Sequence, residues 1–150
     1  MTKIDLTDSL EKIPVKIFPD SKTGSAFVAK EIAALIKEKE AEGKKPVIGL
    51  ATGSSPKTLY AELVRMHKEE GLSFKNVITF NLDQYYPMDK DALQSYHYFM
   101  RKNLFEQTDI DPSNYHLPDG MIPKDKVKEH CLSYEKQIED AGGLDLQILG

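Results

Sequence analysis

The apolar positions of this chain alternate between short compact runs and helical stripes. Val15-Lys16-Ile17-Phe18 reads as a short strand closed by Pro19-Asp20. Over 25–42, Val28, Ile32, Leu35 and Ile36 recur at i, i+4, i+7 and i+8, one buried stripe of an amphipathic helix, and Gly43 is placed to end it. Pro46-Val47-Ile48-Gly49-Leu50 is an apolar run between turn signals, as a buried parallel strand requires. A second helix is predicted over 56–70, with Leu59, Leu63 and Met66 inside and Gly71 stopping it. Asn76-Val77-Ile78-Thr79-Phe80 predicts a third strand. Tyr96, Phe99, Met100 and Leu104 suit a third helix, Val127, Cys131, Tyr134 and Ile138 a fourth, and residues 144–149 a further strand.

Residues 1–14 read as a polar lead-in, and the rest gives the order β-α-β-α-β-α-α-β. Such alternation predicts an α/β fold of three layers, a mostly parallel sheet with helices on both faces. Ligands of these sheets bind beyond the carboxyl ends of the strands. Two of those ends, after Leu50 and after Phe80, carry the chemistry.

Composition narrows the class rather than the activity. The 150 residues are 40% apolar and 29% charged, ordinary for a globular domain. A formal net charge of −4 argues against a nucleic-acid or anionic-membrane partner, which calls for clustered Lys and Arg. The single cysteine, Cys131, excludes an intrachain disulfide and fits a reducing compartment. With neither a secretory h-region at the start nor an apolar run long enough to span a bilayer, a cytoplasmic location is expected.

The first chemical feature is Ala51-Thr52-Gly53-Ser54-Ser55-Pro56, between a strand and a helix. Gly53 allows a tight turn, while Ser55 is a good N-cap and Pro56 a good first helical residue. The free N–H groups of the first turn, with hydroxyls of Thr52, Ser54 and Ser55, form an anion site, held mainly by neutral donors because Lys57 is the only base nearby. The same residues also suit a well-capped helix and nothing more. The loop matches neither G-x-x-x-x-G-K-[ST] nor G-x-G-x-x-G, which weighs against classical nucleotide binding.

The second feature is Asn81-Leu82-Asp83-Gln84-Tyr85-Tyr86-Pro87. Asp83 falls just past a strand end, at the same sheet edge as the glycine loop. Flanked by Leu82 and Tyr85, a partly desolvated carboxylate there suits a general base acting on a carbon next to a carbonyl. A turn aspartate bonded to nearby backbone N–H groups fits the spacing as well. His67 and His130 read as solvated, His116 as a loop residue, and His97 as a helix-surface or packing residue. None of them is paired at metal-ligand spacing, and Cys131 sits on a helix stripe, so no metal site is expected.

Several ordered blocks resemble one family. Gly49-Leu50-Ala51-Thr52-Gly53-Ser54-Ser55-Pro56, Phe80-Asn81-Leu82-Asp83-Gln84-Tyr85 and Ser95-Tyr96-His97-Tyr98-Phe99-Met100 together resemble the glucosamine-6-phosphate deaminase/isomerase family. Met66-His67-Lys68, Ser73-Phe74-Lys75-Asn76-Val77, Asp109-Ile110-Asp111-Pro112 and Gly142-Gly143-Leu144-Asp145-Leu146 fit as well. The resemblance runs over 15–150 and implies the N-terminal part of a modified Rossmann-like domain that continues past 150, incomplete at its C-terminus. It implies isomerisation with deamination of glucosamine 6-phosphate to fructose 6-phosphate and ammonia, without a cofactor. Carried over, Thr52, Gly53, Ser54 and Ser55 contact the substrate phosphate, Asp83 takes the C2 proton of the ring-opened sugar and passes it to C1, and Gln84 and Tyr85 lie in support behind it. The partners implied are a small amino sugar phosphate and further copies of the same chain.

The pattern departs at Gln84, where the family has Glu. The family's Gly-x-Asp-Gly-His-Ile block, which supplies the groups for ring opening, is absent from these 150 residues, so turnover is expected only from a longer protein. Two other functions fit the blocks less fully. A 6-phosphogluconolactonase resembles Trp-x-Asp-Glu-Arg where this chain has Asn81-Leu82-Asp83-Gln84-Tyr85. A non-catalytic sugar-phosphate sensor would keep the loop alone.

Overall fold

A computed structural model describes residues 13–150, so most of the lead-in lies outside the described residues. Four strands, β1 (Val47–Leu50), β2 (Ile78–Asn81), β3 (Tyr115–His116) and β4 (Leu146–Gln147), form one sheet in the order β3-β2-β1-β4. All three pairings are parallel, and Leu50 lies opposite Asn81, so β1 and β2 end at the same level.

Four helices cover the sheet: α1 (Ser21–Ala41), α2 (Lys57–Glu70), α3 (Tyr96–Asn103) and α4 (Val127–Asp140). Successive strand residues point to opposite faces. Ile48 and Leu50 join Ile32, Ile36, Leu59, Leu63 and Met100 in the larger core, beneath α1, α2 and α3. Val47 and Phe80 face the other way and pack with Tyr134, Ile138 and Ala141 of α4 and its end. The three-layer parallel arrangement expected from the sequence is therefore the one formed.

Several local expectations change. No strand forms over 15–18: Val15 and Ile17 are 59% and 79% exposed. An alternating pattern needs an open sheet edge to pair with, and this segment instead lays Phe18 against Phe27 (centroids 5.3 Å apart) and Lys16 over the same ring. Helix α1 starts four residues earlier than expected, because Asp20 is its N-cap and accepts from the Thr23 amide at 2.7 Å. Strand β3 is a two-residue segment that places His116 in the sheet, stacked on Phe80 at 4.5 Å, rather than in a loop. Cys131 is exposed, off the buried stripe, because α4 buries only Tyr134 fully.

Strand β4 closes the opposite edge. Asp145 accepts from the Val47 amide at 2.9 Å and pairs with Lys39 of α1, while the Ile148 amide donates to the Gly49 carbonyl at 2.9 Å.

Candidate active site

Three loops meet beyond the carboxyl ends of β1, β2 and β3. The first, residues 51–56, is anchored at its base by Tyr60, a fully buried side chain on α2 whose hydroxyl donates to the Ala51 carbonyl. Burial raises the pKa of that hydroxyl, which keeps it neutral and donating. Gly53 sits at φ 109°, a conformation that other residues rarely adopt, and it turns the loop outward. Gly53, Ser54 and Ser55 are exposed, and neither serine side chain bonds to another described residue.

Ser55 is not the N-cap of α2. That place is taken by Pro56, already at helical angles, with no side-chain cap. A turn through 53–56, in which Ser54 accepts from the Lys57 amide at 3.4 Å, carries the chain into the helix instead. The serine hydroxyls and the exposed end of the loop are thus left without a partner among the described residues. Lys57 is drawn toward α3, its ammonium 5.6 Å from the Phe99 ring centroid.

The second loop leaves β2 at Asn81 and is fixed on three sides. The Leu82 amide donates to the Leu50 carbonyl at 3.1 Å, tying it to β1. The Tyr134 hydroxyl lies 2.9 Å from the Asn81 carbonyl and 3.1 Å from that of His116, bridging β2 and β3 from below. Beyond Asp83, the Gln84 Oε1 accepts from two amides, Tyr85 at 2.9 Å and Tyr96 at 3.1 Å, joining the loop to the start of α3.

The Ser95 hydroxyl caps α3, accepting from the Tyr98 amide at 2.9 Å and donating to the Lys90 carbonyl at 2.6 Å. The third loop presses against the second at Gly120, where a Cβ would lie 2.6 Å from the carbonyl oxygens of Tyr85 and Met88.

Between these fixed points Asp83 is exposed, and so are Leu82 and Tyr85. The partly desolvated carboxylate expected from the sequence is not what these residues build. What they build is an accessible carboxylate on a constrained backbone. The Tyr96 ring packs against that of Tyr85, 4.7 Å between centroids, and its hydroxyl lies beside the side chains of Tyr85 and Thr52. The contact with Tyr85 raises the Tyr96 pKa, burial adds to this, and the nearby charge of Asp83 acts in the same direction. Tyr96 therefore connects the two loops that the sequence marked separately.

The histidines serve the framework. His67 Nδ1 is 2.7 Å from the Leu72 carbonyl oxygen and 3.6 Å from Asp109, so this residue is tied to the turn after α2 rather than solvated. His130 Nε2 accepts from the Asp119 amide at 3.1 Å and is likewise engaged. His97 is half-buried beside Leu117, Asp119 and Met121, and burial lowers its pKa. No group of three potential metal ligands occurs among the described residues.

Sequence reasoning missed Tyr134 and Tyr96 as parts of the site, reading each only as a stripe residue. It missed Asn81 too, 2% exposed and with neither side-chain polar atom bonded among the described residues. An asparagine at the end of a strand with Ile78 and Phe80 was the available signal.

Comparison with known proteins identifies the family and the fold. A family model described as glucosamine-6-phosphate isomerases/6-phosphogluconolactonase matches residues 19–150. A glucosamine-6-phosphate deaminase-like protein of Bacteroides thetaiotaomicron is 47% identical over 141 residues, 94% of this chain and 21% of that protein. A glucosamine-6-phosphate deaminase of Thermoanaerobacter sp. is 46% identical over 123 residues, 82% of this chain and 48% of its own length.

Among solved structures, a monomeric glucosamine-6-phosphate deaminase superposes with a TM-score of 0.83 at 35% identity, covering 90% of this chain and 54% of that one. The 6-phosphogluconolactonase of Thermotoga maritima gives 0.71 at 25% identity, covering 90% and 58%. The chain thus spans about half the length of most of these relatives, and about a fifth of the Bacteroides protein. On the extent of these matches, the chain belongs to the glucosamine-6-phosphate isomerase/6-phosphogluconolactonase family.

Proposed function

We propose that this chain supplies the phosphate loop and the proton-transferring carboxylate of an amino-sugar-phosphate deaminase, acting on glucosamine 6-phosphate within a longer protein. The observation that carries the reading is the placement of Thr52–Ser55 and Asp83 side by side at one sheet edge, with Tyr96 between them. A phosphate seated on the free donors of the first loop points the carbon chain of the ring-opened sugar across Tyr96 toward Asp83.

The aldehyde at C1 acidifies the C2 proton. Asp83 removes it, leaving an enolamine, and returns a proton to C1. The nitrogen then stands as an imine at C2, water adds there, and ammonia leaves with fructose 6-phosphate as the ketose. Each step conserves atoms with one water consumed and needs no redox partner or cofactor.

Relatives named as deaminases are 42–51% identical to this chain over the aligned residues, whereas the structures named as lactonases are 20–25% identical, which favours the deaminase. A cytoplasmic location and a homo-oligomeric state belong to the same proposal. No helix among the described residues is long and apolar enough to cross a membrane.

The test is ammonia release from glucosamine 6-phosphate by the full-length protein, with Asp83→Asn alongside. Turnover in the wild type, lost by at least about 10³-fold in the variant while phosphosugar binding persists, is the expected result. Binding without turnover in both proteins would establish a sensor instead, and hydrolysis of 6-phosphogluconolactone a lactonase.

A further inference from the structure

Gln84 stands where the family resemblance places a glutamate, directly beside the proposed base. Its side chain has a defined task here. One oxygen, Oε1, accepts from the amides of both Tyr85 and Tyr96, at 2.9 and 3.1 Å. The two donors fix the orientation of the carboxamide, since the flipped form would set an NH2 group against two N–H groups. The other atom, Nε2, is buried without a partner among the described residues. The working atom is therefore the acceptor alone, and a glutamate carboxylate would supply the same acceptor.

We infer that Gln84 is a positioning residue: by clamping the amides of Tyr85 and Tyr96 with one oxygen, it fixes the backbone on the far side of Asp83 and sets that carboxylate's distance from the Thr52–Ser55 loop. This rests on the deaminase reading for its catalytic consequence, though not for the clamp itself. The near side is already held, by Leu82 on Leu50 and by Tyr134 on Asn81. Without Gln84, the nearest remaining ties on the far side of Asp83 would be those of Tyr86 to Ile122 and of Met88 to Gly120, and the Tyr96 amide would lose its link to the loop. Displacement of a proton-transferring group by about 1 Å can cost about 10²-fold in rate without weakening substrate binding. The swap of charge for amide at this position thus preserves the geometry that the reaction uses.

The experiment compares Gln84→Met, similar in size but without the acceptor, with Gln84→Glu, which keeps it, in the full-length protein. Steady-state deamination is measured together with amide hydrogen exchange at Tyr85 and Tyr96. Gln84→Met should lower kcat by about 10- to 100-fold with KM changed less than about threefold, and should speed exchange at both amides. Gln84→Glu should recover most of kcat and restore the protection.

Equal kcat in wild type and Gln84→Met, or a Gln84→Glu protein as slow as Gln84→Met, would overturn the inference. If the wild type shows no deamination, it is the functional reading that fails. The clamp is then decided by exchange alone, supported by faster exchange in Gln84→Met and refuted by none. Gln84→Ala replaces the methionine variant if the latter does not fold.

Discussion

Removing one oxygen atom from Tyr134 should loosen the end of β2 that carries the proposed base. In Tyr134→Phe the ring remains, edge-on to Phe80 at 5.6 Å between centroids, so its packing against the sheet persists. What is lost is the hydroxyl lying 2.9 Å from the Asn81 carbonyl and 3.1 Å from the His116 carbonyl. A single proton is shared between two acceptors, so the loss counts as one hydrogen bond plus partial desolvation of a carbonyl left behind. That amounts to about 1–2 kcal/mol, at the upper end of a neutral bond because the group is only 9% exposed. For a chain of this size it corresponds to a fall in Tm of about 2–8 °C. The assay is urea denaturation of wild type, Tyr134→Phe and Tyr134→Ala in parallel. The alanine variant also loses the ring and should fall by about 3–5 kcal/mol. A phenylalanine variant as stable as wild type would show that the hydroxyl bridge does not hold β2 to β3.

Two further outcomes follow from the same hydrogen-bond geometry. Ser95→Ala should destabilise by about 1–2 kcal/mol in denaturant titration, since Ser95 is fully buried and caps α3, whereas Ser55→Ala, at a position that caps nothing, should stay within about 0.5 kcal/mol of wild type. Asp109 is the acid to test against pH. Burial by itself would raise its pKa, but bonds from the Phe74 amide and the Ser73 hydroxyl outweigh this and lower it below 3.8. A depressed carboxylate contributes its stability above the unfolded value and loses it as pH falls through the folded one. Asp109→Asn should therefore be less stable than wild type at pH 7, and the gap should close as pH drops below about 4, read by thermal unfolding across pH.

The parts of this fold legible in the sequence are those where one periodicity sufficed. Helices α1 and α2 and strands β1 and β2 bury continuous stripes, and their apolar spacing announced them. Strand β3 spans two residues, too short for any period to show. The stretch 15–18 has strand chemistry, yet strand formation depends on a partner edge, which local sequence does not specify. Cys131 fell on a stripe, but α4 meets the sheet from Tyr134 to its end, so the first half of that stripe, Val127 and Cys131, faces water.

The site was legible in its loops and not in its supports. A Thr-Gly-Ser-Ser-Pro turn and an aspartate after a strand are visible one loop at a time. The hydroxyl of Tyr134 reaching across 53 residues to Asn81, and the carboxamide of Gln84 reaching the Tyr96 amide, are products of the assembled sheet.

The composition of the proposed phosphate loop fits a role in orientation more than in affinity. Thr52, Ser54 and Ser55 are neutral, and Lys57, the base next along the chain, leans over the Phe99 ring. Hydrogen bonds from neutral donors to a charged group contribute about 1.5–3 kcal/mol each, and a helix N-terminus adds about 0.3–1 kcal/mol. Three such bonds are offset by an association cost of at least about 4 kcal/mol. The loop by itself then nets no more than about 6 kcal/mol, so it holds a phosphate no tighter than tens of micromolar. A weak but directional grip is still useful to the chemistry proposed here. It sets one end of a flexible open-chain sugar at a fixed distance from Asp83, so that the carbon losing its proton meets the carboxylate on a backbone held by Leu82, Tyr134 and Gln84. Catalytic power in such an arrangement comes from the rigidity of the two strand ends, which depends on the sheet register joining Leu50 to Asn81.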